Sequence, residues 1–222
     1  LRFINDIAGE PPRSLLDIAC GTGSYSIKLA KKGFDITAVD LDAAMIEQLS
    51  EKVKKKNLNI KFITSNMLEL KDKLYGSLYD LAFCIGNSVV HLSSKEDILK
   101  FLYSTKQLVK KNGNIIIQII NFDRVILSNI NSLPPITNQE IGLEFKRFYR
   151  YDKENNLVFF RTVLSVDNKT IENEIQLYPL LSEDLLNMLK EVGYKNISFF
   201  GDFNRNEFDK LNSFMLVLNA QS

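Results

Sequence analysis

The sequence predicts an α/β fold: a doubly wound, mostly parallel seven-stranded sheet with an inserted three-stranded antiparallel β meander. Three features point there. Apolar strand-like runs alternate with helix-like periodic segments through the first half. The rhythm breaks after Ile120 into runs joined by turn residues, and alternation resumes at Ser182. At 222 residues the chain reads as one domain, with residues 121–181 as an inserted connector and lid.

The strand runs are Leu15–Ala19, Ile36–Val39, Ile60–Ile63, Tyr79–Cys84 and Asn114–Ile120. Their unbroken apolar character suits strands covered on both faces. Ser24 opens a short helix closed by Lys31-Lys32-Gly33. Asp42 caps the next, whose Met45, Ile46, Leu49 and Val53 share one face. The lysines Lys52, Lys54, Lys55 and Lys56 gather at its negative end, which makes them a solvated helix terminus. Ser94 and Asp97 resemble a capping box before Ile98, Phe101, Leu102 and Leu108, and Asn112-Gly113 is the expected stop.

Residues 121–141, with Pro134-Pro135, read as an irregular connector. The meander strands follow as Leu143–Tyr151, Leu157–Val166 and Thr170–Tyr178, joined by Asp152–Asn156 and Asp167–Lys169. A helix from Ser182 to Gly193 and strands Ile197–Phe200 and Ser213–Leu218 complete the sheet.

Composition narrows the function. Lys plus Arg is 28 and Asp plus Glu is 27, a net charge of +1, which offers no general attraction to nucleic acid or an acidic membrane. No apolar run has membrane-spanning length or resembles a signal sequence. Cys20 and Cys84 lack metal-ligand spacing and read as buried free thiols, so a cytoplasmic setting is expected.

The chemistry concentrates in Leu16-Asp17-Ile18-Ala19-Cys20-Gly21-Thr22-Gly23, a strand running into a small-residue turn and a helix. Such a turn lets a ligand lie against bare backbone. A dinucleotide site wants a third glycine, and Ser26 stands in its place. Asp17 would repel a pyrophosphate and attract a cationic amino-acid moiety. Asp40, at the end of the second strand, is placed to hold a ribose.

These motifs resemble those of class I S-adenosylmethionine-dependent methyltransferases, over roughly Leu15 to Gly113. Leu16–Gly23 resembles the first cofactor motif, Val39-Asp40-Leu41-Asp42 the acidic end of the second strand, and Tyr79–Ser88 the fourth-strand motif. The resemblance implies a Rossmann-like fold and S-adenosylmethionine as cofactor. It implies that Asp17, Gly21 and Gly23 border the methionine moiety, with Ala19 and Cys20 in the same turn. Asp40 would accept from both ribose hydroxyls and Leu41 would pack on the adenine. Asn66 and Met67 would meet the adenine edge and face, although the family usually has Asp at the Asn66 position. Backbone groups of Cys84 and Ile85 would line the methionine side.

Gly86-Asn87-Ser88 followed by His91-Leu92 is similar to a subgroup that methylates small molecules, including glycine and sarcosine amines. The expected partner is therefore a small-molecule N or O nucleophile. Alternatives are RNA or protein acceptors, a cofactor-binding protein without catalysis, and a nicotinamide enzyme. The candidate catalytic residues are His91, Asn87 and Tyr178. His91 is the sole histidine and has a pKa suited to proton transfer. Asn87 and Ser88 would orient the cofactor or acceptor. Tyr178, with Arg147, Tyr149, Arg150, Tyr151 and Arg161, would present the lid to a polar acceptor.

Overall fold

The computed structural model describes residues 1–167 and 169–222. The first half runs α1 (Arg2–Ala8), β1 (Ser14–Ile18), α2 (Ser24–Ala30), β2 (Asp35–Asp40), α3 (Ala43–Lys55), β3 (Ile60–Thr64), α4 (Leu70–Lys73), β4 (Tyr79–Cys84), α5 (Lys95–Leu108) and β5 (Val109–Ile120). The second half runs α6 (Phe122–Leu127), β6 (Ser132–Asn138), β7 (Leu143–Asp152), β8 (Leu157–Val166), β9 (Lys169–Leu177), α7 (Ser182–Val192), β10 (Lys195–Phe200) and β11 (Met215–Gln221).

Seven strands form one sheet in the order β3-β2-β1-β4-β5-β11-β10. All pairings are parallel except those of β11, which is antiparallel to β5 and β10. The order reverses between β1 and β4, which opens a crevice at their carboxyl ends. Strand alternation divides the core into two layers. Leu15, Leu81, Phe83, Ile116 and Val217 pack with Phe3, Ile27 and Leu49 on one face. Leu16, Ala82, Ile117 and Leu218 pack with Phe101, Leu102, Leu185 and Leu189 on the other.

Helix caps follow the sequence. Asp42 Oδ1 accepts from the Ala44 N–H at 2.8 Å, and Ser94 Oγ from the Asp97 N–H at 3.1 Å. Asp97 does not close the box. Its carboxylate takes the Ser93 hydroxyl at 3.0 Å.

Several expectations need correction. The inserted sheet has four strands, ordered β6-β7-β8-β9, and not three. Residues 121–141 are not an irregular connector, since they hold α6 and β6. Pro134-Pro135 hid β6. The prolines sit in a register shift between Leu133 and Ile136 on an edge strand, where their missing N–H groups break no regular ladder. The turn expected over Asp167–Lys169 includes residue 168, outside the described residues.

The stop expected at Asn112-Gly113 lies inside β5, and α5 ends at Leu108. The β4–β5 register jumps from Tyr79↔Val109 to Leu81↔Asn114, so Lys110–Gly113 form a bulge. Asn112 takes φ 65°, and a Cβ on Gly113 would lie 2.7 Å from the Asp80 carbonyl oxygen. Helix α1 was not expected from sequence, yet its Phe3, Ile4 and Ala8 are buried.

The inserted sheet is attached by one face. Tyr149, Val158 and Leu177, from three neighbouring strands, are buried in the main core, and Tyr149 stacks on Phe160. On the opposite face the Arg150 guanidinium lies 3.8 Å from the centre of the Phe159 ring, and Arg161 pairs with Glu172 at 2.7 Å. Period-2 alternation thus splits the expected lid residues. Arg150 and Arg161 point away from the body.

Candidate active site

The turn after β1 is built from left-handed backbone: Ala19 has φ 58°, Gly21 54° and Gly23 76°. Two main-chain bonds fix it, Cys20 N–H to Val39 O and Gly23 N–H to Cys20 O, each 3.0 Å. The two glycines serve different needs. A Cβ on Gly23 would fall 2.1 Å from Leu49 Cδ1, so this glycine lets α3 pack against the turn. Gly21 faces open space, leaving its backbone accessible to a ligand.

Asp40 ends β2 beside that turn. Its Oδ2 accepts from the Gly21 N–H at 2.7 Å and its Oδ1 from the Asp42 N–H at 3.0 Å. Each oxygen keeps lone-pair capacity for a further donor.

Asp17 lies beneath the turn. It is 3% exposed, and its Oδ2 accepts from the Ser26 hydroxyl at 2.5 Å. Burial pushes its pKa up to about 7, against the opposing pull of the Ser26 bonds. Burial also raises the thiols of Cys20 and Cys84 well above the usual range, so neither is a ready nucleophile near neutral pH.

A cleft of about 170 Å³ sits at the crevice, lined by Ile18, Ala19, Val39, Asp40, Leu41, Ser65, Asn66, Met67, Ser88, His91 and Leu92. Ala19, Asp40, Leu41, Asn66, Met67 and His91 therefore come together as the motifs suggested. Asp17, Cys20, Gly21, Gly23, Cys84, Ile85, Asn87 and Tyr178 are not among the lining residues. Ser88, expected beside Asn87 to orient the cofactor or acceptor, also lines the cleft, whereas Ile18, Val39, Ser65 and Leu92 were missed as site residues. Ile18, Val39 and Ser65 adjoin the carboxyl ends of β1, β2 and β3, a place the strand pattern could have marked.

Asn66 also has a local backbone role. Its Oδ1 accepts from the Leu68 N–H at 2.9 Å and caps the short 3-10 turn Met67–Glu69. Asn87 sits at φ 68°, and its Oδ1 accepts from the Ile120 N–H at 2.8 Å. Together with Gly86 N–H to Gln118 Oε1 at 2.8 Å, this clips the loop after β4 onto β5.

Val89–His91 form a 3-10 turn whose Val90 carbonyl accepts from the Tyr178 N–H at 2.8 Å. Tyr178 thereby joins the end of β9 to the turn carrying His91. Burial, and then the carboxylates of Asp184 and Glu96, raise the Tyr178 pKa. Partial burial lowers that of His91. Among the described residues no cluster of acidic, His or Cys side chains could hold a metal ion.

The reversal in strand order, the open glycine turn and the acid at the end of β2 are the features of an α/β site for a nucleoside cofactor. Residues 15–113 match a family model described as a methyltransferase domain. The chain is 26% identical over 211 residues to a glycine/sarcosine N-methyltransferase of Aphanothece halophytica, covering 90% of this chain and 73% of the relative. It is 33% identical over 107 residues to a ubiquinone biosynthesis O-methyltransferase of Rickettsia canadensis, covering 48% and 42% respectively. The structure of the CcbJ methyltransferase from Streptomyces caelestis has the same fold, with TM-score 0.86, 18% identity, and coverage of 100% of this chain and 87% of that one. The protein is a class I S-adenosylmethionine-dependent methyltransferase, and S-adenosylmethionine is its cofactor.

The site fits that cofactor by its own chemistry. Asp40 would present a fixed carboxylate to a diol, and the 68% exposed Leu41, lining the same cleft as Met67, would offer apolar surface to a purine. The cleft is smaller than the ~300–1,000 Å³ of a whole ligand site, so it would take one part of an extended molecule.

Proposed function

We propose that this methyltransferase acts on a small-molecule nucleophile, an amine before a hydroxyl. The observation that carries this is the extent of the likeness. The N-methyltransferase relative aligns over 90% of the chain, a span that must include most of the inserted sheet, whereas the O-methyltransferase relative aligns over 48%. The inserted sheet is the part outside the cofactor half, so it is where acceptor choice belongs. Net charge of +1 also favours a small acceptor over nucleic acid. Free Cys20 and Cys84 support a reducing, cytoplasmic setting.

In this reading S-adenosylmethionine supplies a methyl group already activated on a sulfonium. The protein's work is alignment and exclusion of water. Asp40 holds the ribose hydroxyls, Leu41 and Met67 pack on the adenine, and Asn66 meets its edge. The exposed backbone at Gly21, with Cys20 beside it, seats the methionine moiety, and Cys84 and Ile85 flank it through their main chain. Asp17, below the turn, supplies negative potential to the ammonium. Asn87 supports the loop that carries Ser88. Tyr178, anchored to Val90, lies where the inserted sheet meets the site and orients the acceptor.

The test is labelled-methyl transfer to a panel of small amines, hydroxyl compounds, RNA and protein. Transfer to small amines is expected. Transfer confined to RNA or protein would overturn the reading.

A further inference from the structure

Most polar atoms lining the nucleoside cleft already have protein partners. Asp40 accepts from Gly21 and Asp42, Ser65 Oγ donates to the Asn66 carbonyl, and Asn66 Oδ1 accepts from Leu68. The His91 imidazole differs. Its backbone is pinned, since His91 N–H donates to Ser88 O at 3.1 Å and the neighbouring Val89 and Val90 are fully buried. Its ring lines the cleft with Asp40, Leu41 and Met67. Among the described residues no hydrogen bond engages that ring.

We propose that His91 is a recognition residue for the adenosine half of the cofactor, and not the base that takes a proton from the acceptor. This rests on the methyltransferase reading and takes the place of the proton-transfer role expected from sequence. The cleft that His91 lines holds the ribose acid and the adenine-side Met67. It holds none of Asp17, Gly21, Cys84 or Ile85, the residues of the methionine side. A neutral imidazole has one donor and one acceptor. Adenosine presents ring-nitrogen acceptors, hydroxyls and an amine donor, so both imidazole positions have a match. Asp40 and the Asn66 amide keep hydrogen-bonding capacity and Ser88 lines the same cleft, and the His91 ring adds a further donor and acceptor to theirs.

Partial burial lowers the His91 pKa, which favours the neutral ring. The ionisable groups around it are Asp40 in the same cleft and Tyr178 beside Val90, with Glu96 and Asp184 beyond Tyr178. None of them is a cause of that lowered pKa.

The experiment is calorimetric titration of S-adenosylhomocysteine into the wild type, His91→Ala and His91→Gln. The side chain is exposed, so both variants should keep the wild-type thermal midpoint without ligand. His91→Ala should bind about tenfold more weakly, the loss of roughly one hydrogen bond. His91→Gln, which keeps a donor and an acceptor, should recover most of that. Wild-type affinity should fall on acidification as the ring loses its acceptor, and the alanine variant should lack this dependence. In turnover, KM for S-adenosylmethionine should rise while kcat stands. Unchanged affinity in His91→Ala, or a fall in kcat at constant KM, would overturn the proposal. A wild type that binds no S-adenosylhomocysteine would overturn the cofactor reading itself.

Discussion

The carboxylate of Asp40 accepts the Gly21 N–H at 2.7 Å, so the acid ending β2 fastens the glycine turn that follows β1. One side chain would therefore do two jobs in the proposed reading. It holds the glycine turn in place, and its remaining lone pairs would face a ribose. The turn and the acid, separated by 19 residues in sequence, are one unit in space.

The two glycines of that turn should separate in mutagenesis. Gly23→Ala forces a Cβ into Leu49 at a left-handed residue, and should cost about 1–3 kcal/mol of stability. Gly21→Ala meets open space, so only its backbone conformation is penalised, at roughly 1–2 kcal/mol. Its larger effect should be on S-adenosylhomocysteine affinity. Urea denaturation and calorimetric titration of both variants check this.

Asp17 gives a pH dependence of defined sign. Its folded-state pKa is about 7 against an ordinary 3.8, because burial disfavours the carboxylate. The folded protein thus binds the proton more tightly than the unfolded chain. Its contribution is fully present below the ordinary value and is lost as pH rises through about 7. Asp17→Asn should remove that decline, read from urea midpoints across the same interval. A cationic ammonium favours the ionised form, so cofactor binding near neutral pH should release a proton from the wild type and none from the variant. Calorimetry in buffers of different ionisation enthalpy measures this.

Asn87 should matter to the fold before it matters to chemistry. Asn87→Ala leaves the Ile120 N–H without its acceptor, at a cost of about 1–3 kcal/mol. Asn87→Asp keeps both the acceptor and tolerance for the left-handed backbone, and should stay near wild-type stability. Thermal unfolding of the pair decides it.

Tyr178 tests the acceptor side. Tyr178→Phe keeps the main-chain bond to Val90 and removes only the hydroxyl. It should lower kcat/KM for the acceptor about tenfold or more while S-adenosylhomocysteine affinity stays unchanged. Kinetics with an acceptor identified by labelled-methyl transfer supply the number.

Much of this was legible in the residues. Unbroken runs such as Leu81–Cys84 announced strands buried on both faces, and Asp40 after Val39 marked a strand end facing the site. Other parts were hidden for physical reasons. Helix α1 is 7 residues long, too short for its Phe3, Ile4 and Ala8 to show a period. Pro134-Pro135 argued against a strand that tolerates them only because it lies at an edge with a bulge. Asn87 and Asn66 were assigned to ligands, but each spends its side-chain oxygen on a nearby backbone N–H. Sequence spacing shows which polar groups approach a site. It does not show which of them are already occupied.

The most direct test of the account is titration of S-adenosylhomocysteine into the wild type and Asp40→Ala, with NAD as the competing cofactor. Wild-type binding of S-adenosylhomocysteine and not NAD is expected, with a loss of about tenfold or more in Asp40→Ala, as befits charged hydrogen bonds to a diol. Binding of NAD in preference, or an Asp40→Ala variant that binds S-adenosylhomocysteine as well as the wild type, would contradict it.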